Sequence, residues 1–292
     1  MTTLTSLICV YKYHANGNDF VVTDNATVIT HATHRKQLAH RKFGIGCDQI
    51  LYIKKKDSKV HCFFYNQDGH EASLCLNGLY VVACHLHTYD TCPTLIYTQK
   101  GSYPITIHKD HLKITVPTPT LAQPQPIQIH DTELNPSASC YLVDVGNQHI
   151  IILVPKEIIA SFPLEKIGKK LQKDRRFPES INVSVITYQP DKETIQMRTF
   201  ERGVGLTLSC GSAALAAALT IQTIHKVVHS LHIQQPGGNL IIHRNNSEEN
   251  WQLQSNCSYV ATVYWAPPQA SPPSSVAQMS ALSAATEQGH DN

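Results

Sequence analysis

Two cysteines stand in matching places, each ahead of an apolar run. Cys75 opens Cys75-Leu76-Asn77-Gly78, followed by Leu79-Tyr80-Val81-Val82-Ala83-Cys84; Cys210 opens Cys210-Gly211-Ser212-Ala213, followed by Ala214-Leu215-Ala216-Ala217-Ala218-Leu219. Each run reads as a buried helix with a thiol at its start. A helix N-terminus carries unpaired N–H groups and partial positive charge. That field stabilises thiolate and binds carboxylate, so both thiols are expected to have lowered pKa values. One such thiol, judged singly, is as well explained as a small buried core residue. One in each half of the chain points instead to an acid and a base on either side of a substrate carboxylate. A thiolate that removes a proton from an α-carbon, and a thiol that returns one to the opposite face, invert the centre. The helix N-termini would hold the enolate-like charge that develops. This chemistry calls for no metal or organic cofactor, and no G-x-G-x-x-G stands in a strand-turn-helix setting.

Polar residues flank both thiols. Glu201-Arg202-Gly203 lies upstream of Cys210, and Gly146-Asn147-Gln148-His149 ends a strand in the same half. A Glu and a His near the thiols would tune which one is ionised. Glu201 with Arg202 as a surface pair, and His149 as a satisfied core histidine, stay open beside that reading.

The elements that must position these residues repeat. In the first half, Leu7 to Tyr13 and Asp19 to Thr23 read as strands around the loop His14-Ala15-Asn16-Gly17-Asn18, and 33–42 as a short helix. Strands follow at 49–53 and 60–65, then the helix after Cys75, then strands at 94–98, 103–108 and 112–116. Pro117 to Ile129 is proline-rich and reads as a crossover between domains. The second half repeats the plan, with strands at 141–145, 150–154, 183–187 and 194–199, the helix from Gly211 to about Lys226, and strands near 231–234, 240–243 and 259–265. Helices apolar nearly all round are buried on most faces, so a mainly antiparallel sheet wrapped around a central helix is expected in each half of an α/β (α+β) protein. The expected domains are 1–117 and 118–265, the last strand free to return to the first domain. The Pro-, Ser- and Ala-rich tail 266–292 reads as disordered.

Composition narrows the class. The 292 residues suffice for two domains, and a formal charge of +2 gives no footprint for nucleic acid or an anionic membrane. No segment has the length of a membrane span, and the N-terminus lacks a signal-peptide pattern. Nine scattered cysteines without C-x-x-C indicate neither zinc nor a disulfide framework and fit a reducing cytosol. His225, His229 and His232 have helical spacing but no acidic or cysteine partners nearby, so they read as surface histidines, not a metal site.

The motifs taken together resemble the diaminopimelate epimerase family, cofactor-independent racemases of lysine and peptidoglycan-precursor biosynthesis. Eight pieces occur in family order between about His14 and Tyr264: Gly17-Asn18-Asp19-Phe20, Gly44-Ile45-Gly46-Cys47-Asp48-Gln49, Asn66-Gln67-Asp68-Gly69 with Glu71, Cys75-Leu76-Asn77-Gly78, Gly146-Asn147-Gln148-His149, Arg176-Phe177-Pro178 with Asn182, Glu201-Arg202-Gly203-Val204-Gly205, and Cys210-Gly211-Ser212. The resemblance implies two pseudo-symmetric domains with the site in the cleft between them and Cys75 and Cys210 as the acid/base pair. It implies that His149 and Glu201 set the thiol pKa values. It further implies substrate contacts from Asn18, Gln49, Asn66, Asn147, Asn182, Glu201 and Arg202, of which Asn66, Asn147, Asn182 and Arg202 grip the distal amino-acid end. The backbone N–H groups of Leu76, Asn77, Gly211 and Ser212 would hold the reacting carboxylate. Tyr264 stands where the family has a tyrosine linked to dimer formation, so a cytoplasmic homodimer acting on a small amino acid is implied.

The chain departs from the family pattern at Leu76 and Ala213 (usually Gly), Leu206 (usually Glu), Leu208 (often polar), Gln148 (Pro) and Ala15 (Gly). These leave the two thiols in place and bear on the substrate. The leading expectation is inversion of one α-carbon of LL-diaminopimelate to the meso form. The alternatives are a racemase of another amino acid such as histidine, and a non-catalytic amino-acid-binding relative. Thiols that flank one carbon are also expected to join as a disulfide on oxidation.

Overall fold

The computed structural model describes residues 7–89, 93–108, 111–117, 123–130, 138–226, 230–244 and 250–268. Its first repeat contains β1 (Ile8–Ala15), β2 (Asn18–Thr23), α1 (Ala26–Thr30), α2 (Ala32–Ala39), β3 (Gln49–Lys56), β4 (Lys59–Asn66), β5 (Glu71–Ala72), α3 (Leu76–Tyr89), β6 (Leu95–Thr98), β7 (Gly101–His108) and β8 (His111–Pro117). The second contains β9 (Gln125–Ile127), β10 (Ser139–Asp144), β11 (Gln148–Leu153), α4 (Leu164–Leu171), β12 (Asn182–Gln189), β13 (Thr194–Glu201), β14 (Gly205–Thr207), α5 (Gly211–His225), β15 (Leu231–Gln235), β16 (Gly238–Arg244) and β17 (Asn250–Gln254). The last strand, β18 (Ser258–Trp265), returns to pair with β1.

The strand pairings of the two repeats match one for one. β18–β1–β2 is antiparallel, β2–β3 parallel, β3–β4 antiparallel, β4–β6 parallel and β6–β7–β8 antiparallel. β9–β10–β11 is antiparallel, β11–β12 parallel, β12–β13 antiparallel, β13–β15 parallel and β15–β16–β17 antiparallel. β8 pairs with β17 and joins the two series. Each parallel step needs a crossover, and helices supply it: α1 and α2 between β2 and β3, α4 between β11 and β12, α3 before β6, and α5 before β15. The fold is thus mixed α/β with a mainly antiparallel sheet, as the sequence layout implies.

The two central helices are sealed because they have no polar stripe to expose. Every residue of α3 from Leu76 to Ala83 and of α5 from Ala213 to Gln222 is buried, and both helices share one apolar cluster with the inward strand residues. Close helix–sheet contact demands Gly78: a Cβ there would meet Leu51, Phe64 and Phe20 at 2.9 to 3.3 Å. The outer sheet faces are covered by α1 and α2 over one apolar cluster and by α4 over another.

Several elements differ from the sequence reading. β1 continues through His14 and Ala15, leaving only Asn16-Gly17 as the turn, because both residues take positive φ and close a two-residue hairpin. The proline-rich crossover contains β9, an edge strand in which Pro126 lies opposite Tyr141; an edge tolerates the missing N–H. α1, α4 and β17 were not anticipated, and the short helix covers 32–39, not 33–42. The tail from residue 269 onward and His229 lie outside the described residues. Among those described, eight cysteines are free and no helix is long and apolar enough to cross a membrane.

Candidate active site

Both cysteines are N-cap residues. The first helical bond of α3 runs from Leu79 N–H to Cys75 O (2.8 Å) and that of α5 from Ala214 N–H to Cys210 O (3.0 Å). Each sulfur stands where a capping side chain stands. Gly78 N–H donates to Cys75 Sγ at 3.4 Å, and the Ala213 N–H lies near enough to Cys210 Sγ to favour its thiolate. The first-turn N–H groups also include those of Leu76, Asn77, Gly211 and Ser212, the four expected carboxylate donors, of which the Asn77 N–H also favours the Cys75 thiolate. The helix starts abut: a Cβ on Gly211 would lie 2.9 Å from Leu76 Cβ and 3.2 Å from Asn77 Oδ1. Asn77 Nδ2 reaches Ser209 O and Oγ at 3.4 Å each, across to the other repeat. Leu76 therefore explains why its counterpart is glycine: the two positions share one gap that holds one side chain.

Strand register carries the repeat into the site. Phe20 is paired with Gln49 across the parallel β2–β3 step, and His149 with Asn182 across β11–β12. Gln49 lies opposite Asn66, and Asn182 stands with Glu201 one position beyond the Val183–Phe200 pair. Asn18 and Asn147 occupy the equivalent turn ends. The expected site residues thus fall at equivalent places in two copies, with two differences of chemistry. The Cys210 copy carries His149 and Glu201 where the Cys75 copy carries Phe20 and Asn66.

Hydrogen bonds fix most of these groups. Cys75 Sγ lies 4.0 Å from Asn18 Oδ1. Asn18 Nδ2 donates to Asp48 Oδ2 (2.9 Å), which sets the amide with its oxygen toward the thiol. Asp48 is held by Arg41 (2.6 Å), and Arg41 and Lys12 both hold Asp19 (2.8 and 2.5 Å). Burial works against the Asp19 carboxylate, but the bonds from Arg41 and Lys12 outweigh it and keep its pKa far below the ordinary range. Gln49 Nε2 donates to Asn66 Oδ1 (2.8 Å). Asn147 Nδ2 lies 3.5 Å from Ser212 Oγ, and its Oδ1 lies 3.2 Å from His149 Nε2. Asn182 accepts from Arg202 N–H (3.0 Å), and the exposed Arg202 guanidinium donates to Glu179 O (2.8 Å).

The thiol pKa values correct the sequence expectation. Burial pushes Cys75 up to about 12; the Gly78 N–H lowers it and the Glu201 charge raises it. Burial and the Glu201 charge push Cys210 well above the ordinary thiol range, against the smaller effects of Ser212 Oγ and the Ala213 N–H. The helix N-termini act in the expected direction, but loss of water outweighs them. Glu201 is itself raised by burial, against bonds from Thr207 Oγ1 (2.6 Å) and from the Cys210 thiol. Glu201 thus interacts with both sulfurs. His149 acts differently: burial lowers it to about 3, so its imidazole is neutral.

Neutral His149 has a consequence for stability. The unfolded chain takes up a proton at the ordinary histidine pKa and the folded chain does not, so stability is lost as pH falls below about 6.5. Between pH 7 and pH 5 the loss is about 2 kcal/mol. Urea unfolding at these two pH values is expected to show it in the parent and to lack this share of it in His149→Gln.

Four buried polar atoms without partners belong to residues of these two copies, Gln49 Oε1, Asn77 Oδ1, His149 Nδ1 and Gln235 Nε2, with only His14 Nδ1 and Gln222 Nε2 besides among the described residues. Such atoms are rare in native proteins and mark places completed by water or a ligand. Gln235 was missed by sequence reasoning; nothing local ties it to Cys210, 25 residues away, whose N–H it accepts at 2.8 Å.

The model of the family described as diaminopimelate epimerase matches residues 10–120 and 141–259. The chain belongs to the diaminopimelate epimerase family. The relatives named diaminopimelate epimerase include that of Xanthomonas campestris pv. campestris, 34% identical over 251 residues that cover 79% of this chain and 87% of that one. That of Sphingopyxis alaskensis is 32% identical with the same coverage. Among solved structures, a phenazine biosynthesis protein of the PhzF family from Bacillus anthracis superposes with a TM-score of 0.68 over 90% of this chain and 100% of that one, at 15% identity. A hydroxyproline epimerase from Agrobacterium vitis does so with a TM-score of 0.61 over 89% and 91%, at 10% identity. At such identities these two structures establish the shared fold. The family departures are visible in this frame. Leu76 and Ala213 are buried, whereas Leu206 and Leu208 are exposed. Leu208 lies against Gly17 of the first repeat and Gly237 of the second, so it bridges the two across the site.

Proposed function

We propose that the protein is a diaminopimelate epimerase, inverting one α-carbon of LL-2,6-diaminopimelate to give the meso form in lysine and peptidoglycan-precursor biosynthesis. The observation that carries this reading is the pair of thiols capping two abutting helices, one in each repeat. The substrate carboxylate sits on the N–H groups of Leu76, Asn77, Gly211 and Ser212. Cys210 gives its proton to Glu201, whose raised pKa suits it to accept, and the resulting thiolate removes the α-proton. Cys75, still a thiol, returns a proton from the opposite face. The forward turn leaves Cys75 as the thiolate and the proton on Glu201; in the reverse direction Cys75 removes the α-proton, the Cys210 thiol returns one, and Glu201 gives its proton back to Cys210. Charge in the transition state spreads into the carboxylate, where fixed N–H dipoles stabilise it without reorganising. Asn18 and Gln49 line the reacting end. Asn66, Asn147, Asn182 and Arg202 hold the distal amino-acid end, which a single-ended amino acid lacks.

Cytoplasmic location accords with the free cysteines. A homodimer through β18 accords with the exposure of Tyr259, Val260 and Tyr264 on that strand, Tyr264 being 66% exposed opposite Cys9 of β1. The substrate is tested by chiral chromatography of reaction mixtures under reducing conditions. LL-diaminopimelate is expected to invert, and histidine, proline and lysine are not. Inversion of a single-ended amino acid alone moves the protein to the racemase reading, and inversion of none supports a binding protein.

A further inference from the structure

Cys210 has a support that Cys75 lacks. Gln235 ends β15, its residue is 8% exposed, and its Oε1 accepts the Cys210 N–H at 2.8 Å. Its Nε2 is sealed from solvent and has no partner. By register, Thr98 holds the equivalent place in the first repeat, opposite Gly101 as Gln235 is opposite Gly238, and Thr98 spends its hydroxyl on Gly101 O (3.1 Å). The turn after Gln235 is pinned from both repeats. Gly237 N–H donates to Leu208 O (2.9 Å), and a Cβ at Gly237 would collide with Asn16 O. The turn that follows the carboxamide is therefore held by backbone from both repeats. The Cys210 N–H dictates which end of the carboxamide is oxygen, and that leaves a buried N–H donor beside the start of α5 with no acceptor. A buried donor of this kind is costly unless something completes it.

We propose that Gln235 is a positioning residue for Cys210, and that its free Nε2–H donates to the reacting carboxylate when substrate binds. The proposal rests on the two-thiol reading above. It makes the two acid/base groups unequal: the Cys210 cap is tied to the β15–β16 turn, and the Cys75 cap is not.

Two variants test it. Gln235→Met keeps the length and removes both bonds; Gln235→Glu keeps an acceptor for the Cys210 N–H and replaces the donor by an anion. α-Hydrogen exchange and inversion are measured in heavy water, starting from each diastereomer separately. Alkylation of each cysteine is mapped by mass spectrometry against pH, with no substrate present. In Gln235→Met, inversion is expected to fall about ten- to a hundredfold, the cost of a misplaced reacting group. Exchange is expected to persist from the one diastereomer whose α-hydrogen faces Cys75, since Cys75 still removes and returns hydrogen on its own face. In Gln235→Glu, KM rises, and the alkylation curve of Cys210 moves to higher pH while that of Cys75 stays. Exchange and inversion falling together from both diastereomers would overturn the proposal, as would equal shifts of both thiols or unchanged turnover in both variants. Should Gln235→Met fail to fold, Gln235→Glu carries the test alone. A parent enzyme inert toward diaminopimelate, with the selective Cys210 shift still present, would sink the functional reading and leave the positioning role standing.

Discussion

Cys75→Ala and Cys210→Ala are each expected to lower stereoinversion by about a thousand- to ten-thousandfold, the upper range for removing a positioned acid or base. Inversion needs both faces of the α-carbon, so neither thiol replaces the other. Each single variant keeps one face, and with it slow α-hydrogen exchange from one diastereomer only; the two variants are expected to select opposite diastereomers. The double variant loses exchange altogether. Substrate binding, followed by calorimetry, survives in all three, because the carboxylate donors are backbone N–H groups of Leu76, Asn77, Gly211 and Ser212. Alanine is small enough for both caps. Cys75 packs against the shared core only partly, and Cys210 precedes a helix of small residues. A single variant that still inverts the substrate would remove that cysteine from the mechanism.

The second large effect is expected from Glu201→Gln, about a hundred- to a thousandfold in kcat. Both thiols lie high in pKa, Cys75 pushed up to about 12 and Cys210 well above the ordinary thiol range, so neither ionises by itself at neutral pH. Among the described residues Glu201 is the carboxylate whose charge acts most on Cys210, and the other repeat offers Asn66 at the equivalent place. Glutamine keeps the bond to Thr207 and cannot take the proton. The pH profile carries the signature. Glu201 must be ionised to accept, and burial raises its pKa, so parent activity is lost as pH falls through a value above that of an ordinary carboxyl. In Glu201→Gln that limb disappears. Stability separates this from a folding defect. A carboxyl whose folded pKa is raised favours the folded state below that pKa and loses that contribution as pH rises through it. The glutamine variant is therefore expected to be no less stable than the parent at pH 7.

The parts of this site legible in the sequence are those written in consecutive residues. A thiol directly before an apolar run of helical length announces an N-cap and a buried helix, and both are found. The repeat was legible as an order of elements; the register that places Phe20 against His149 and Asn66 against Glu201 was not, since it depends on strand pairing. α4 carries an apolar spacing at Leu164, Ile167 and Leu171 that favours a helix, yet Gly168 weakens it. The structure supplies the reason for that glycine: a Cβ there would run into the Phe200 ring. β17 is short, and its alternation of Trp251 and Leu253 acquires meaning only against β8 from the other repeat. The thiol pKa was misjudged because a helix N-terminus is a local feature, whereas loss of water around Cys75 and Cys210 comes from elements distant in sequence. Gln235 was invisible for the same reason.

The most direct test of the two-thiol account is a single turnover of LL-diaminopimelate in heavy water, with the deuterium located by NMR in recovered substrate and product. The account requires one deuterium at one α-carbon of the meso product, delivered by the second thiol, and little in recovered LL substrate. Deuterium appearing equally in substrate and product from the first turnover would mean that one base serves both faces, and would contradict it.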